Sequence, residues 1–390
     1  MSDPAQELAR LATEHGQLAI DTEFVSERRY QALLCLAQVA VPDPSQAGGV
    51  RTEVLDPLDD SKRLDPAPLA RVLADPDVEI VVHAGRQDVA ILRRTWETDV
   101  VNVFDTQVAA GFLGMGNQEG YESLARRVLG IQLRGGEGFT RWDKRPLTER
   151  QLTYAADDAR CLLALGDAIA RELRDTGRLE WAREECRIVE RSNDERSPER
   201  AYEKLPNLRR LDGRQRAAAR QLCEWREAAA RELDRPPSYL IPDQALLQLA
   251  RRRPADKEGL EQIRGLPQQT LHRRAREVLD AIASAGDDAP VVGPPPGPQR
   301  DAADAPVVSL AQAIVRHRAR ESKVATELIA TQSELTALVS AVRRGEDGDG
   351  IRALHGWRRE LVGEELIDLV DGRLAVSVAP TGSLHVERTD

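Results

Sequence analysis

Every run in this chain that reads as a β-strand falls within its first 104 residues, and helical periodicity dominates from about residue 148 to the end. A chain patterned this way calls for an α/β unit in front and helical units behind it. The strand-like runs are residues 17–20, 33–41, 51–55, 79–83 and 100–104. Residues 66–73, 86–95, 106–111 and 121–129 read as helices between and after them. Hairpin-like strands followed by strand–helix alternation predict a mixed sheet, and residues 148–173 read as one long helix closing that unit.

At 390 residues the chain is too long for one core, so boundaries matter. Residues 191–199, with Ser192-Asn193-Asp194 and Ser197-Pro198, read as a linker. The segment 286–306 carries Gly293-Pro294-Pro295-Pro296-Gly297-Pro298, a composition that builds no packed core and reads as an extended tether. The expected units are therefore 1–190, a helical unit over 205–285, the Pro/Gly-rich linker 286–306 and a second helical unit over 307–390. The two helical units echo each other: Leu240-Ile241-x-x-Gln244 with Leu247 is matched by Leu328-Ile329-x-x-Gln332 with Leu335, and Ile263-Arg264-Gly265 by Leu354-His355-Gly356. Two ordered matches at similar separation favour duplication over chance.

Composition narrows the class. Hydrophobic residues at 41% and charged residues at 31% exclude both a disordered chain and a membrane protein. The first residues show neither a basic nor an apolar leader, so the expected compartment is the cytoplasm. Cys35, Cys161, Cys186 and Cys223 form no C-x-x-C pair, which leaves no readable zinc ribbon or disulfide framework. A net charge of −10 argues against a non-specific nucleic-acid coat, although all but five of the 55 basic residues are Arg, the side chain suited to bidentate phosphate contacts.

The chemistry lies in carboxylates. Leu18-Ala19-Ile20 leads into Asp21-Thr22-Glu23-Phe24, so a strand ends with acids at i and i+2 on one face. Carboxylates crowded on one face repel unless a hard divalent cation sits between them. Asp88 enters a helix directly after the strand 79–83, which puts a third acid beside the sheet; alone it would read as a helix N-terminal acid. His83 has no second His at ligand spacing and reads as structural. Tyr154 and Asp158 lie one helical turn apart, with small Ala155 and Ala156 between them allowing close approach to a neighbouring sheet; Asp157 points elsewhere.

Together, Asp21-x-Glu23, Asp88 and Tyr154-x-x-x-Asp158 resemble the DEDDy class of 3′-to-5′ exonucleases, and the words Leu34-Cys35-Leu36-Ala37-Gln38, Phe104-Asp105-Thr106-Gln107 and Arg145-Pro146-Leu147 are similar to bacterial ribonuclease D. Trp225-Arg226, residues 246–250 and Ile263-Arg264-Gly265 resemble an HRDC domain. The resemblance implies an α/β ribonuclease H-like exonuclease domain, a mixed sheet flanked by helices, followed by two small all-α HRDC-like domains. It implies two Mg²⁺ or Mn²⁺ ions, with Asp21 bridging both, Glu23 and Asp158 completing the water-activating site, Asp88 holding the second ion and Tyr154 orienting the attacking water. It implies removal of nucleotides from the 3′ end of RNA as 5′-monophosphates, with transfer-RNA precursors and other small structured RNAs as substrates. Nothing in the sequence marks a dimer seam, so a monomer is expected, and the charge content leaves no membrane partner. Phe24 and Trp142 are the aromatic candidates for stacking on a terminal base, with core packing an equal alternative for either. Residues 134–141 depart from the family, which more often carries an Asp-Lys pair and a Ser-Asp ahead of the Trp, so substrate contacts in that loop do not carry over; three glycines there suggest a segment that orders when RNA enters. A DNA-directed 3′-to-5′ exonuclease and a catalytically inactive RNA-binding adaptor are the alternatives. Neither a polymerase domain nor a G-x-x-x-x-G-K-[ST] loop is present to support a DNA-processing assembly.

Overall fold

The computed structural model describes residues 3–59, 61, 64–133, 140–285, 302–380 and 382–389. The chain opens with a helix, α1 (Pro4–His15), that the strand and helix runs did not anticipate; Asp3 caps it, Pro4 starts it, and Leu8, Leu11 and Ala12 bury its inner face. Then come β1 (Gln17–Val25), β2 (Leu33–Pro42), β3 (Val50–Leu55), α2 (Ala67–Leu73), β4 (Glu79–Val82), α3 (Arg86–Thr95), β5 (Val103–Asp105), α4 (Thr106–Ala110) and α5 (Tyr121–Leu124). The last of these widens into a π turn over Ala125–Leu129.

The five strands form one mixed sheet in the order β3-β2-β1-β4-β5, with β1 antiparallel to β2 and parallel to β4. Side-chain parity along β1 sets everything that follows. Leu18 and Ile20 face a core built with α1, α2 and α3, whereas Ala19 faces the opposite layer with Ala159, Leu162 and Leu163. That second layer is α6 (Glu149–Arg160) and α7 (Leu162–Asp175). Residues 148–173 thus form two helices and not one: the run breaks at Cys161, and Gly166 lets α7 press so closely on β4 that an added Cβ would stand 2.8 Å from the Val81 side chain. After α8 (Leu179–Glu190) the linker reading holds only up to Ser197, which caps α9 (Pro198–Glu203).

A helical unit follows: α10 (Gly213–Glu232), α11 (Pro237–Leu240), α12 (Asp243–Arg252), α13 (Lys257–Glu261) and α14 (Gln268–Ser284), closed around Leu222, Ile241, Leu246, Leu249 and Val278. It meets the sheet domain at Tyr30, whose hydroxyl donates to Glu227 (2.9 Å) and whose ring lies under the guanidinium groups of Arg196 and Arg231. Arg29 pairs with Asp234 at 2.8 Å beside it.

Most of the Pro/Gly-rich segment lies outside the described residues. Its end does not: helical structure is already present at Ala302, and α15 (Ala305–Ser322) begins inside the expected linker. α16 (Thr326–Ile329), α17 (Gln332–Arg344), α18 (Gly356–Arg358) and α19 (Glu364–Val370) follow. Leu240-Ile241 and Leu328-Ile329 both close a four-residue helix ahead of a longer one, and Gly265 and Gly356 both take positive φ, 83° and 52°. The expectation of a wholly helical end is corrected by a hairpin, β6 (Leu374–Val378) paired antiparallel with β7 (Leu384–Arg388). Leu374, Val376 and Val378 alternate with smaller residues and Gly382 supplies the turn, a strand signal lost beside the helical pattern before it. This last unit is not held apart on a tether. It shares one core with the sheet domain, in which Phe104, Phe112, Leu165, Ile169 and Leu179 pack with Ile314, Leu338, Trp357 and Leu366. Among the described residues no helix is long and apolar enough to cross a membrane.

Candidate active site

β4 pairs with β1 only as far as Ala19–Val81, whereas β1 runs on to Val25. The carboxyl end of β1 therefore has β2 on one side and a notch on the other, the place where ligands enter open α/β sheets. Asp21 and Glu23 lie in this overhang, inside the strand and not at its end, and they continue the parity of Ala19 towards α6. Between Glu23 and Phe24 the register shifts, leaving Cys35 of β2 unpaired as a β-bulge.

α6 is fixed from its N-terminus. Thr148 and Gln151 form a capping box. Ahead of it Arg145 of the Arg-Pro-Leu word donates to Asp56 (2.7 Å), to the Trp142 carbonyl (2.7 Å) and to the Cys35 carbonyl (3.0 Å). Buried Ala155 and Ala159 let the helix approach the sheet, so Tyr154 and Asp158 reach the face that carries Asp21. Tyr154 hydrogen-bonds Asp158. Asp157 turns away and pairs with Arg160 at 3.0 Å.

Asp88 arrives from the other layer. It is buried in the first turn of α3 and accepts a hydrogen bond from the Thr22 hydroxyl, the β1 side chain that parity turns towards α3. Just before it, Asp105 receives the backbone N–H groups of Ala84 (3.1 Å) and Gly85 (2.9 Å) and so fixes the loop that aims α3 at the notch. His83 is held at 2.9 Å from the Thr106 hydroxyl and lines the same cavity, a position that its sequence context as a lone His did not reveal.

These acids sense one another. Burial, then the charges of Asp88, Asp158 and Glu23, push Asp21 well above the carboxylate range. Burial followed by Asp158 and Asp88 raises Glu23 to about 8. Burial raises Asp158 to about 7 and Asp88 to about 6, partly offset by the hydrogen bonds from Tyr154 and Thr22. Burial and the same carboxylates hold the Tyr154 phenol far above its ordinary value, so it stays an O–H donor. Hard oxygen donors with unrelieved mutual repulsion suit a Mg²⁺-type cation. Among the described residues, however, no three His, Cys, Asp or Glu side chains already converge as a cage. Asp88 is drawn to Thr22 and Asp158 to Tyr154.

The sign of the pH effect follows. Each acid has a folded-state pKa above its unfolded value, so its contribution to stability is complete below about pH 4 and is lost as pH rises through the folded values, up to about 8 for Glu23. In the presence of a chelator the melting temperature is expected to fall steadily from pH 5 to pH 8, and Mg²⁺ is expected to flatten that slope. A melting temperature that rises over the same range would show that the acids are not mutually destabilising.

The stacking candidates separate. Trp142 is 1% exposed and packed with Cys35, Leu36 and Ala155 behind Tyr154, so its face is not open to a base. Phe24 is half-buried at the rim of the α1–α3 core and remains a candidate. The glycines expected to order on RNA entry fall in residues 134–139, outside the described residues.

A mixed sheet draws acids from both flanking layers towards the β1 overhang and is joined to a helical module, and the families the chain matches give its class, a 3′-to-5′ exonuclease with a helical appendage. Residues 1–174 match the family model for 3′-5′ exonuclease and residues 215–282 that for the HRDC domain. Ribonuclease D of Sphingobium indicum is 36% identical over 99% of this chain and 96% of its own length, and that of Acidiphilium cryptum 33% identical over 94% and 91%. The crystal structure of Escherichia coli RNase D, described as an exoribonuclease involved in structured RNA processing, superposes with a TM-score of 0.81 at 27% identity, covering 94% of this chain and 96% of that one. The chain belongs to the ribonuclease D family.

Proposed function

We propose that this chain hydrolyses RNA one nucleotide at a time from a free 3′ end, releasing 5′-mononucleotides, with transfer-RNA precursors and other small structured RNAs as substrates in the cytoplasm. The observation that carries this reading is that Asp21 and Glu23, on the overhang of β1, both feel the charges of Asp88 and Asp158. These four acids would hold two divalent ions, Mg²⁺ or Mn²⁺, which when bound supply water activation and stabilise the leaving oxygen. The protein's own part is positional. Tyr154, kept protonated, holds the attacking water by hydrogen bonding, and Trp142 behind it fixes the ring. The second tandem unit, residues 307–390, is read as a second HRDC-like domain acting with the first to grip the body of the RNA, and the enzyme as a monomer.

The test uses matched 5′-labelled RNA and DNA oligonucleotides with Mg²⁺ or chelator. A ladder shortening by single nucleotides from the RNA 3′ end, abolished by chelation or by blocking the 3′ end, is expected. Faster cleavage of DNA, or internal cuts, would overturn the assignment. Tyr154→Phe removes only the phenolic O–H and is expected to lower kcat by roughly a hundredfold with KM little changed. A rise in KM without loss of kcat would place Tyr154 in binding instead.

A further inference from the structure

The pocket has a second wall that the catalytic assignment leaves unused. A cavity of about 540 Å³ is bounded on one side by Asp21, Tyr154 and Asp158 and on the other by Tyr121, Glu122 and Arg126. Tyr121 and Arg126 belong to α5 and the π turn that extends it. Such turns recur at functional sites because the extra residue re-aims side chains.

Each of the two has a polar group with nothing to do. Tyr121 lines the cavity, its hydroxyl is buried with no hydrogen-bond partner, and its ring lies 5.4 Å from that of His83. Buried hydroxyls are ordinarily satisfied, so an orphan facing a cavity points to a ligand. Arg126 is exposed and lines the cavity, and its guanidinium has no hydrogen bond or ion pair to any described residue, although Glu122 lies four positions before it. The other nearby hydroxyl, Ser123, is already committed to Glu119. Among the described residues Arg126 is also the one Arg or Lys lining a cavity that Asp21, Asp158 and Glu122 make negative.

We infer that Arg126 and Tyr121 form a phosphate clamp, positioning non-bridging oxygens of the RNA 3′-terminal phosphodiesters against the carboxylate wall. This rests on the exoribonuclease reading and deepens it. A polyanion entering a pocket of acids needs a fixed opposite charge, and a guanidinium meets two phosphate oxygens at once. The tyrosine adds a neutral donor for the same group. Both are positioning residues; the reacting atoms are those of the attacking water and the scissile phosphodiester, which meet at the carboxylate wall.

The experiment compares the full-length wild type with Arg126→Ala, Arg126→Lys and Tyr121→Phe. Substrates are RNA oligonucleotides with ordinary linkages or with one uncharged methylphosphonate at the last or the penultimate linkage. Hydrolysis is followed where the last linkage is ordinary, and binding is followed by anisotropy in chelator for all. On ordinary RNA, Arg126→Ala is expected to raise KM and Kd about tenfold with kcat nearly kept, Lys to rescue only part, and Tyr121→Phe to act in the same direction. At the clamped linkage, methylphosphonate should bring the wild type down to the level of Arg126→Ala and cost the variant nothing further. Equal losses for wild type and variant at both linkages, or an Arg126→Ala enzyme indistinguishable from wild type on ordinary RNA, would overturn the clamp while leaving the exoribonuclease intact. A wild type that hydrolyses no RNA with Mg²⁺ would overturn both. Melting temperatures unchanged in Arg126→Ala, as its exposure implies, tie any KM effect to the substrate.

Discussion

Asp21→Asn is expected to lower RNA hydrolysis by roughly a thousandfold or more and, in chelator at pH 8, to melt at a higher temperature than the wild type. Both halves come from one cause. Asp21 stands on the central strand where the charges of Asp88, Asp158 and Glu23 converge on it, and burial denies it water. Asn keeps the shape and the strand while removing one of the repelling charges. Stability should rise by about 2–4 °C for each kcal/mol of repulsion relieved, while the oxygen donor best placed to be shared is gone. Adding Mg²⁺ should raise the wild-type melting temperature and leave that of Asp21→Asn almost unmoved. Activity lost together with stability would mean that Asp21 supports the fold and nothing more. A variant that hydrolyses RNA normally would remove Asp21 from the site altogether.

Much of this site was legible before any coordinates, because its parts are written in local periodicities. The i, i+2 spacing of Asp21 and Glu23 and the one-turn spacing of Tyr154 and Asp158 each fix a face, and the structure turns those faces towards each other. What was not legible depends on contacts between distant segments. The burial of Trp142 follows from α6 closing over β2, and the second pocket wall from a π turn that no periodicity announces. The break at Cys161 was hidden because two helical patterns run into one another there without Pro at the joint, and the final hairpin because a strand pattern follows a helical one in the same way. Composition identifies a segment that builds no core, but it is silent about whether the units on either side share one.

That shared core carries the largest expected effect on stability. Glu185 on α8 is 5% exposed, and its two oxygens accept from Arg352 at 2.9 Å and from Arg358 at 2.5 Å. Arg358 is 4% exposed, also donates to the Leu328 carbonyl (2.7 Å) and lies over the Trp357 ring, which is packed against Phe112 and Trp181. Glu185→Ala would leave the Arg358 guanidinium buried with a single carbonyl partner, and breaking a buried pair from one side costs about 3–5 kcal/mol. Urea unfolding followed by the fluorescence of Trp181 and Trp357 should report a loss of that size. The double variant Glu185→Met/Arg358→Met should recover much of it, because no charge is then left unpaired. The loss should also reach catalysis: the last unit anchors the segment leading to the second pocket wall, through Ala325 N–H donating to the Gly111 carbonyl at 2.8 Å and Leu328 filling the space over Gly111. At a temperature where the single variant is still folded, its KM for RNA should exceed that of the wild type, and the double variant should return towards it. A single variant within about 1 kcal/mol of wild type, the range of an exposed ion pair, would show that the last unit docks without depending on Glu185.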